Sequence, residues 1–264
     1  MNTIIVLIPH FNSLNDLLKT LKSINEKIAI DILIVDDGSD LKPKKEEFEK
    51  IYKQGKLFIE ILPENLGIEK ALNFGLEIIS KTNYEFIGRL DCGDLCMPNK
   101  FTKQFIKLNN DKDLMLLGTW AKAVDSCGNF LYYIKPPIEF KVIKKKIFLN
   151  STFVHPTVVF RKSILEYVGY YPENYKYAED YAFWFKIIKK FKVENLPEYL
   201  LDYEINSQSI SSLKRSQQVK NRIKIILKNF YFGYYPIYGL FRNFILLFFS
   251  RKKINKIKTI FKFS

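Results

Sequence analysis

Cysteine and histidine are scarce in this chain: its 264 residues hold three cysteines and two histidines. An odd trio of thiols (Cys92, Cys96, Cys127) builds no disulfide framework and fits a reducing, cytoplasmic setting. His10 and His155 are too far apart in sequence for zinc-ligand spacing. No basic region and no small-residue cleavage site precede the first apolar run, TIIVLIP (3–9), which reads as a strand and not as a signal peptide. Long uninterrupted apolar runs are lacking too. The most aromatic stretch, FYFGYYPIYGLFRNFILLFF (230–249), is broken by Gly233, Pro236, Gly239 and Arg242, so a clean transmembrane helix is not expected. Acidic residues are absent after residue 204, where thirteen of the 42 Lys and Arg lie. The first 204 residues hold the other 29 against all 28 acids, so thirteen of the fourteen net positive charges belong to the last sixty residues. A near-neutral body disfavours nucleic acid as a partner, although the basic, aromatic tail keeps an RNA- or DNA-binding protein as an alternative.

What is present is alternation. IIVLIP (4–9), DILIVDD (31–37), LFIEIL (57–62) and YEFIGRLD (84–91) are Ile/Val-rich runs, and helical patterns separate them over 14–24, 43–53 and 68–80. Strand and helix in turn predict βαβ units and an open, mostly parallel sheet buried on both faces. Ligands bind such sheets outside the carboxyl ends of the strands. Those ends read HFN (10–12), DDGSD (36–40), PENLG (63–67) and DCGD (91–94), a row of polar and acidic turns. Further strands are expected over 114–125 and 128–134, a helix over 141–149, a short strand and helix within 151–169, and an amphipathic helix over 179–191.

Three acidic sites stand out. VDDGSD (35–40) places Asp36 and Asp37 at a strand end beside a glycine that allows a sharp turn; a base or ribose could donate to such a carboxylate, and a plain helix cap would look the same. RLDCGD (89–94) puts Asp91 and Asp94 across a turn eased by Gly93, a spacing that suits a hard cation and a diphosphate, although an isolated pair of this kind is more often a surface turn. Glu179 and Asp180 open the 179–191 helix, where capping explains one acid and a general base competes for the other. HFNSLND (10–16) carries neither Gly nor a basic residue, which counts against a nucleotidyltransferase phosphate loop, the alternative enzyme reading.

Taken in order, IPHFN (8–12), VDDGSD (35–40), NLGIEKALNFGL (65–76), RLDCGDLCMPNKFTKQ (89–104), HPTVVFRKS (155–163) and YKYAEDYAFWFK (175–186) resemble glycosyltransferase family 2 over roughly residues 3–200. The resemblance implies an inverting enzyme with a GT-A, Rossmann-like fold. It would move a hexosyl or N-acetylhexosaminyl group from a nucleotide-diphospho-sugar, most often a UDP-sugar, to a hydroxyl of a growing surface glycan or lipid-linked acceptor. By that likeness Asp37 contacts the base, Asp91 the ribose or metal environment, and Asp180 is the general base. Pro9, Phe11, Asn12 and Asp36 are expected on the donor from the first two strand ends, Asn65, Gly67, Lys70 and Arg89 from the next two. His155 and Glu179 fall on the acceptor or diphosphate side, while His10 is read as structural or at the pocket rim. A divalent cation, Mg or Mn, is implied at Asp91 and Asp94, yet Gly93 stands where many members carry a third acid. Asp94, Asp91, or the diphosphate with water would then hold it. Leu72 replaces an arginine common in the third helix, with Lys70 a substitute for phosphate contact.

The chain is thus expected to comprise a GT-A domain over 1–204 (a nucleotide-sugar half, 1–100, and an acceptor half, 101–204) and a basic tail over 205–264. The polar run NSQSISS (206–212) marks the boundary. In the tail Val219, Ile223, Ile226, Leu227 and Phe230 share one helical face, with Lys220, Lys224 and Lys228 toward the other. That pattern suits an anionic membrane surface, hence a peripheral place on the inner face of the cell membrane, over a tail that only packs on the body.

Overall fold

The computed structural model describes residues 3–205 and 214–248; the NSQSISS boundary and the Lys-rich 251–262 segment lie outside the described residues. β1 (Ile4–His10), β2 (Asp31–Asp36), β3 (Leu57–Ile61) and β4 (Phe86–Arg89) pair in parallel in the spatial order β3-β2-β1-β4. Side chains in β1 alternate strictly between two cores. Ile5 and Leu7 join Leu33, Val35 and Ile87 under α3 (Ile68–Ser80), while Ile4, Val6 and Ile8 join Ile32, Ile34 and Phe86 against α1 (Leu14–Ser23) and α4 (Lys100–Asn110). A strand covered on both faces must be apolar at every position, which is why these runs are unbroken Ile, Val and Leu. The Lys/Glu-rich segment after β2 is a short helix, α2 (Lys45–Glu49), instead of the longer one its composition suggests.

Beyond β4 the sheet is mixed. β8 (Val159–Arg161) runs antiparallel to β4 and to β6 (Leu114–Val124); β9 (Lys192–Glu204) runs parallel to β6 and antiparallel to the two-residue β5 (Leu95–Cys96); β7 (Phe130–Ile134) pairs on β6. Two short helices, α5 (Phe140–Lys146) and α6 (Ile164–Val168), precede α7 (Glu179–Lys190). The thirteen-residue β9 carries no clean alternation, because its register breaks where Leu196 and Tyr199 face the adjacent Thr119 and Trp120. Pro197 sits in that irregularity, where a residue without an N–H costs the ladder nothing.

The tail helices α8 (Arg215–Lys228) and α9 (Tyr234–Phe248) seat on the body. Ile225 and Ile226 enter the α3–α7 core, and Tyr235 and Leu240 pack against it. Of the apolar face expected to meet a membrane, Val219, Ile223 and Ile226 are instead buried, with Ile226 in the core of the body, while Leu227 is 54% exposed and Ile225 takes its place. Asn221 Nδ2 donates to Lys176 O at 2.8 Å and Arg242 Nη1 to Leu149 O at 2.7 Å. α9 approaches so closely that a Cβ on Gly239 would stand 2.2 Å from Phe148 O. Alanine gains ~1 kcal/mol of helix propensity over glycine, but here a fixed carbonyl opposes it, and overpacking costs about 1–3 kcal/mol. Gly239→Ala is therefore expected to lower unfolding stability in urea titrations; a stabilised variant would show that α9 does not dock on Phe148.

Candidate active site

Parallel pairing sends the carboxyl ends of β1, β2, β4, β6 and β9 to one edge, and antiparallel β8 begins there. A cleft of about 1100 Å³ opens along it. Its wall includes Pro9, Phe11, Asp37, Asn65 and Gly67 from the first three strand ends, then Asp91 and Asp94, then His155 and Asp180. Sequence positions spread over more than 170 residues thus share one cavity.

The first two turns are tied to each other. Ser13 N–H donates to His10 Nε2 (3.2 Å), so the ring proton sits on Nδ1 and goes to Asp36 Oδ1 at 2.6 Å. Asp36 also accepts from Ser39 N (3.1 Å) and Ser39 Oγ (2.5 Å), and has no exposed surface. Expected on the donor, Asp36 instead shapes the turn that presents Asp37. Asn12, in the left-handed region at φ 49°, likewise faces Asp40, with paired bonds of 3.1 and 2.9 Å, and does not line the cleft. Asp37 does line it. Its oxygens accept from Leu66 N (2.8 Å) and Gly67 N (3.0 Å), which folds the 63–67 turn over it; burial lifts its carboxyl above the ordinary range, and those two N–H groups pull it back. Gly67, at φ 94°, makes that turn. Lys70 is exposed on α3 outside the cleft wall, so in this conformation it stands away from a phosphate in the cleft.

Arg89 lies beneath the floor, 1% exposed, with Nη2 paired to Asp91 and Nη1 donating to Leu90 O. It reaches a ligand only through Asp91. Burial, and then the charge of Asp91, raises the Asp94 carboxyl well above its usual range. Asp94 Oδ1 accepts from Glu204 N at 2.9 Å; Oδ2 is buried and has no partner. Among the described residues no group of three or more His, Cys, Asp or Glu is arranged to hold a metal ion. Asp91 and the orphaned Asp94 oxygen nonetheless fit a hard cation shared with a diphosphate, since such ions take one or two carboxylates and complete their shell with phosphate and water.

At the same cleft, α7 starts on Tyr177, a bulky residue held at φ 67°, and Ala178. Asp180 faces the cleft with Oδ1 accepting from Tyr181 N at 2.6 Å; burial raises its carboxyl, and the Arg222 charge offsets part of this. Glu179 turns away, 7% exposed, with Oε2 unpartnered. Burial, with Asp180 second, pushes it up to about 8. His155 Nε2 bonds Tyr171 Oη at 2.9 Å and its ring packs on Trp184; burial holds it well below the ordinary histidine value, with Arg89 adding to the effect. His155 is therefore neutral at pH 7, able to hydrogen-bond but not to supply charge.

Tyr132, Tyr133, Lys135, Tyr203 and Glu204 also line the cleft. None stood out in the sequence: Tyr203 and Glu204 end the strand hidden by Pro197, and the tyrosines looked like ordinary strand residues.

The sequence profile of Glycosyl transferase family 2 matches residues 5–169, and the chain belongs to that family. It is 32% identical over 192 residues to an uncharacterized glycosyltransferase of Methanocaldococcus jannaschii, covering 70% of this chain and 64% of that one. It is 30% identical to the amylovoran biosynthesis glycosyltransferase AmsE of Erwinia amylovora, covering 71% of each. Among solved structures, S. aureus TarS aligns with a TM-score of 0.65 at 19% identity, over 96% of this chain and 45% of that chain. The mannosyltransferase PcManGT of Pyrobaculum calidifontis, solved with GDP-Man and Mn2+, aligns with a TM-score of 0.60 at 13% identity, over 93% and 69%. These two share the fold, and the chain spans less than half of TarS and under two thirds of the Methanocaldococcus jannaschii relative.

The Glu179 proton has a measurable consequence. The folded chain keeps it up to about pH 8, whereas the unfolded chain releases it near 4.5, so its contribution favours folding below pH 4.5 and is lost between 4.5 and about 8. From about pH 5 to about pH 8.5 the melting temperature of the wild type is expected to fall more steeply than that of Glu179→Gln. Parallel profiles would place Glu179 in a solvated setting.

Proposed function

We propose that the chain transfers a sugar from a nucleotide-diphospho-sugar, a UDP-sugar in the first instance, to a hydroxyl of a glycan or lipid-linked acceptor, with inversion at the anomeric carbon. The observation that carries this is the meeting of Asp37, Asp91 and Asp180 in one cleft at the carboxyl edge of a parallel sheet. Two proteins sharing family or fold support the substrate class. One is an E. coli UDP-Gal:alpha-D-GlcNAc-diphosphoundecaprenol beta-1,3-galactosyltransferase, 27% identical over 202 residues, 76% of this chain and 70% of that one. The other is TarS in complex with UDP-GlcNAc, with a TM-score of 0.62 at 20% identity over 86% of this chain and 67% of that one.

In this reading Asp37 and the 63–67 turn bind the nucleoside, and Asp91, steadied by Arg89, meets the ribose and diphosphate. A divalent cation at Asp91 and Asp94 would neutralise charge on the leaving diphosphate. Asp180 takes the proton of the acceptor hydroxyl as its oxygen attacks the anomeric carbon; burial makes this carboxylate more basic than a solvated one. Neutral His155 hydrogen-bonds the acceptor or diphosphate side without adding charge. Asp180→Asn is expected to cut turnover by about 10²–10⁴ while leaving nucleoside diphosphate affinity within about twofold. Turnover near the wild type in a folded variant would remove Asp180 from the role.

The body and the tail act as a transfer domain and a membrane-facing element, placing the enzyme as a peripheral protein on an anionic bilayer. Tyr234, Ile237, Tyr238, Phe241, Phe244 and Ile245 of α9 form one outward stripe, and Phe232 before it is 94% exposed. Lys220, Lys224 and Lys228 are exposed on α8. Aromatic residues beside lysines suit the headgroup layer, and no helix among the described residues is long and apolar enough to cross a membrane. Full-length protein is expected to co-sediment with phosphatidylglycerol-containing vesicles and not with pure phosphatidylcholine, weakening as salt rises. Replacing Phe232, Phe241 and Phe244 by Ser should abolish most of that binding; equal binding, or none by the wild type, would refute the membrane reading.

A further inference from the structure

Part of the cleft lining is exposed aromatic surface. Tyr132 and Tyr133 are 52% and 53% exposed and line the cleft beside Lys135 and Pro136. Tyr133 belongs to a continuous row of four rings drawn from β6, β7 and β9. Its centroid lies 4.6 Å from that of Tyr199, tilted by 37°, Tyr199 lies 5.3 Å from Trp120, and Phe130 lies 4.7 Å from Tyr133. Trp120 and Tyr199 are direct partners in the β6–β9 register, and Trp120 Nε1 donates to Pro136 O at 3.1 Å, so the row is anchored in the sheet. Lys135 Nζ stands 5.4 Å from the Trp120 and Tyr133 centroids and 5.8 Å from Tyr199.

We propose that Tyr133, backed by Tyr199 and Trp120 and flanked by Lys135, is a stacking platform for a pyranose ring of the acceptor glycan. The proposal rests on the glycosyl-transfer reading. A pyranose has one face of polarised C–H groups and a rim of hydroxyls. The negative face of an aromatic ring attracts the first, and an ammonium or a phenol oxygen bonds the second. The rings supply the flat surface, their anchoring fixes it before binding, and Lys135, drawn over them by cation–π attraction, supplies a donor at the edge. Continuity with the cavity that holds Asp180 points to an acceptor entering that cavity. A second copy of the chain would bury the rings and close the entrance.

Trp120 makes the test direct, because it reports from within the row. Cello-, chito- and malto-oligosaccharides are titrated into full-length protein while tryptophan fluorescence is followed; aryl glycosides are avoided because their aglycone would itself stack. At least one series is expected to shift the emission, with the response lost in Trp120→Phe. Its affinity should fall about five- to tenfold in Tyr133→Ala, the loss typical of one aromatic contact, and be restored in Tyr133→Phe. Nucleoside diphosphate binding should be the same in all three variants, which also verifies that the exposed substitution leaves the fold intact. No response to any series, wild-type affinity in Tyr133→Ala, or a dimer that dissociates in Tyr133→Ala overturns the platform. A wild type that neither binds nor hydrolyses nucleotide-sugars contradicts the transferase reading instead, and the saccharide titration still decides the platform.

Discussion

The parallel pairing of β1 with β2 and β4 is the constraint on which the cleft depends. Pairing in one direction gathers the carboxyl ends at one edge, and it demands helices on both faces, because a parallel sheet exposes neither. The helices seal the two cores, and the polar turns between strand and helix are left as the place where charged groups can face solvent. Crowding of acids at that edge follows from topology, and chemistry is then selected from what topology has collected.

Crowding has an electrostatic cost that the structure meets in different ways. Asp36 is wholly buried but fully hydrogen-bonded by His10 and Ser39. Asp91 is paired with Arg89, whose buried charge also opposes the raised carboxyls of Asp94 and Glu179. Asp94 and Glu179 each keep a buried oxygen without a partner. A buried carboxylate without a partner is expensive and protonates instead; it becomes affordable as an ion when a cation arrives. The two orphaned oxygens differ in this respect. Asp94 faces the cleft, where a cation accompanying a diphosphate would meet it, and Glu179 does not.

Much of this was legible in the sequence because buried parallel strands leave an unmistakable signature. The unbroken runs at 4–9 and 31–37 announced strands, and the turns after them announced a ligand edge. What stayed hidden depends on contacts distant in sequence. Nothing in VDDGSD tells which aspartate turns inward: Asp36 is claimed by a histidine 26 residues away. β9 is not legible in the sequence because Pro197 and a register break erase its alternation, which also hides Tyr203 and Glu204. The tail's helical face was visible, but that Ile225 and not Leu227 would be buried followed from where α8 meets the body.

In the proposed reading Asp180 is the one base in the cleft that also holds Asp37 and Asp91, which calls for a single in-line displacement, and the stereochemistry of the product tests that reading most directly. Proton NMR of the first-formed glycosidic bond, with an α-linked nucleotide-sugar as donor, is predicted to show the large axial coupling of a β-linked gluco- or galacto-configured product. An α-linked product would mean retention, which the proposed single general base could not account for.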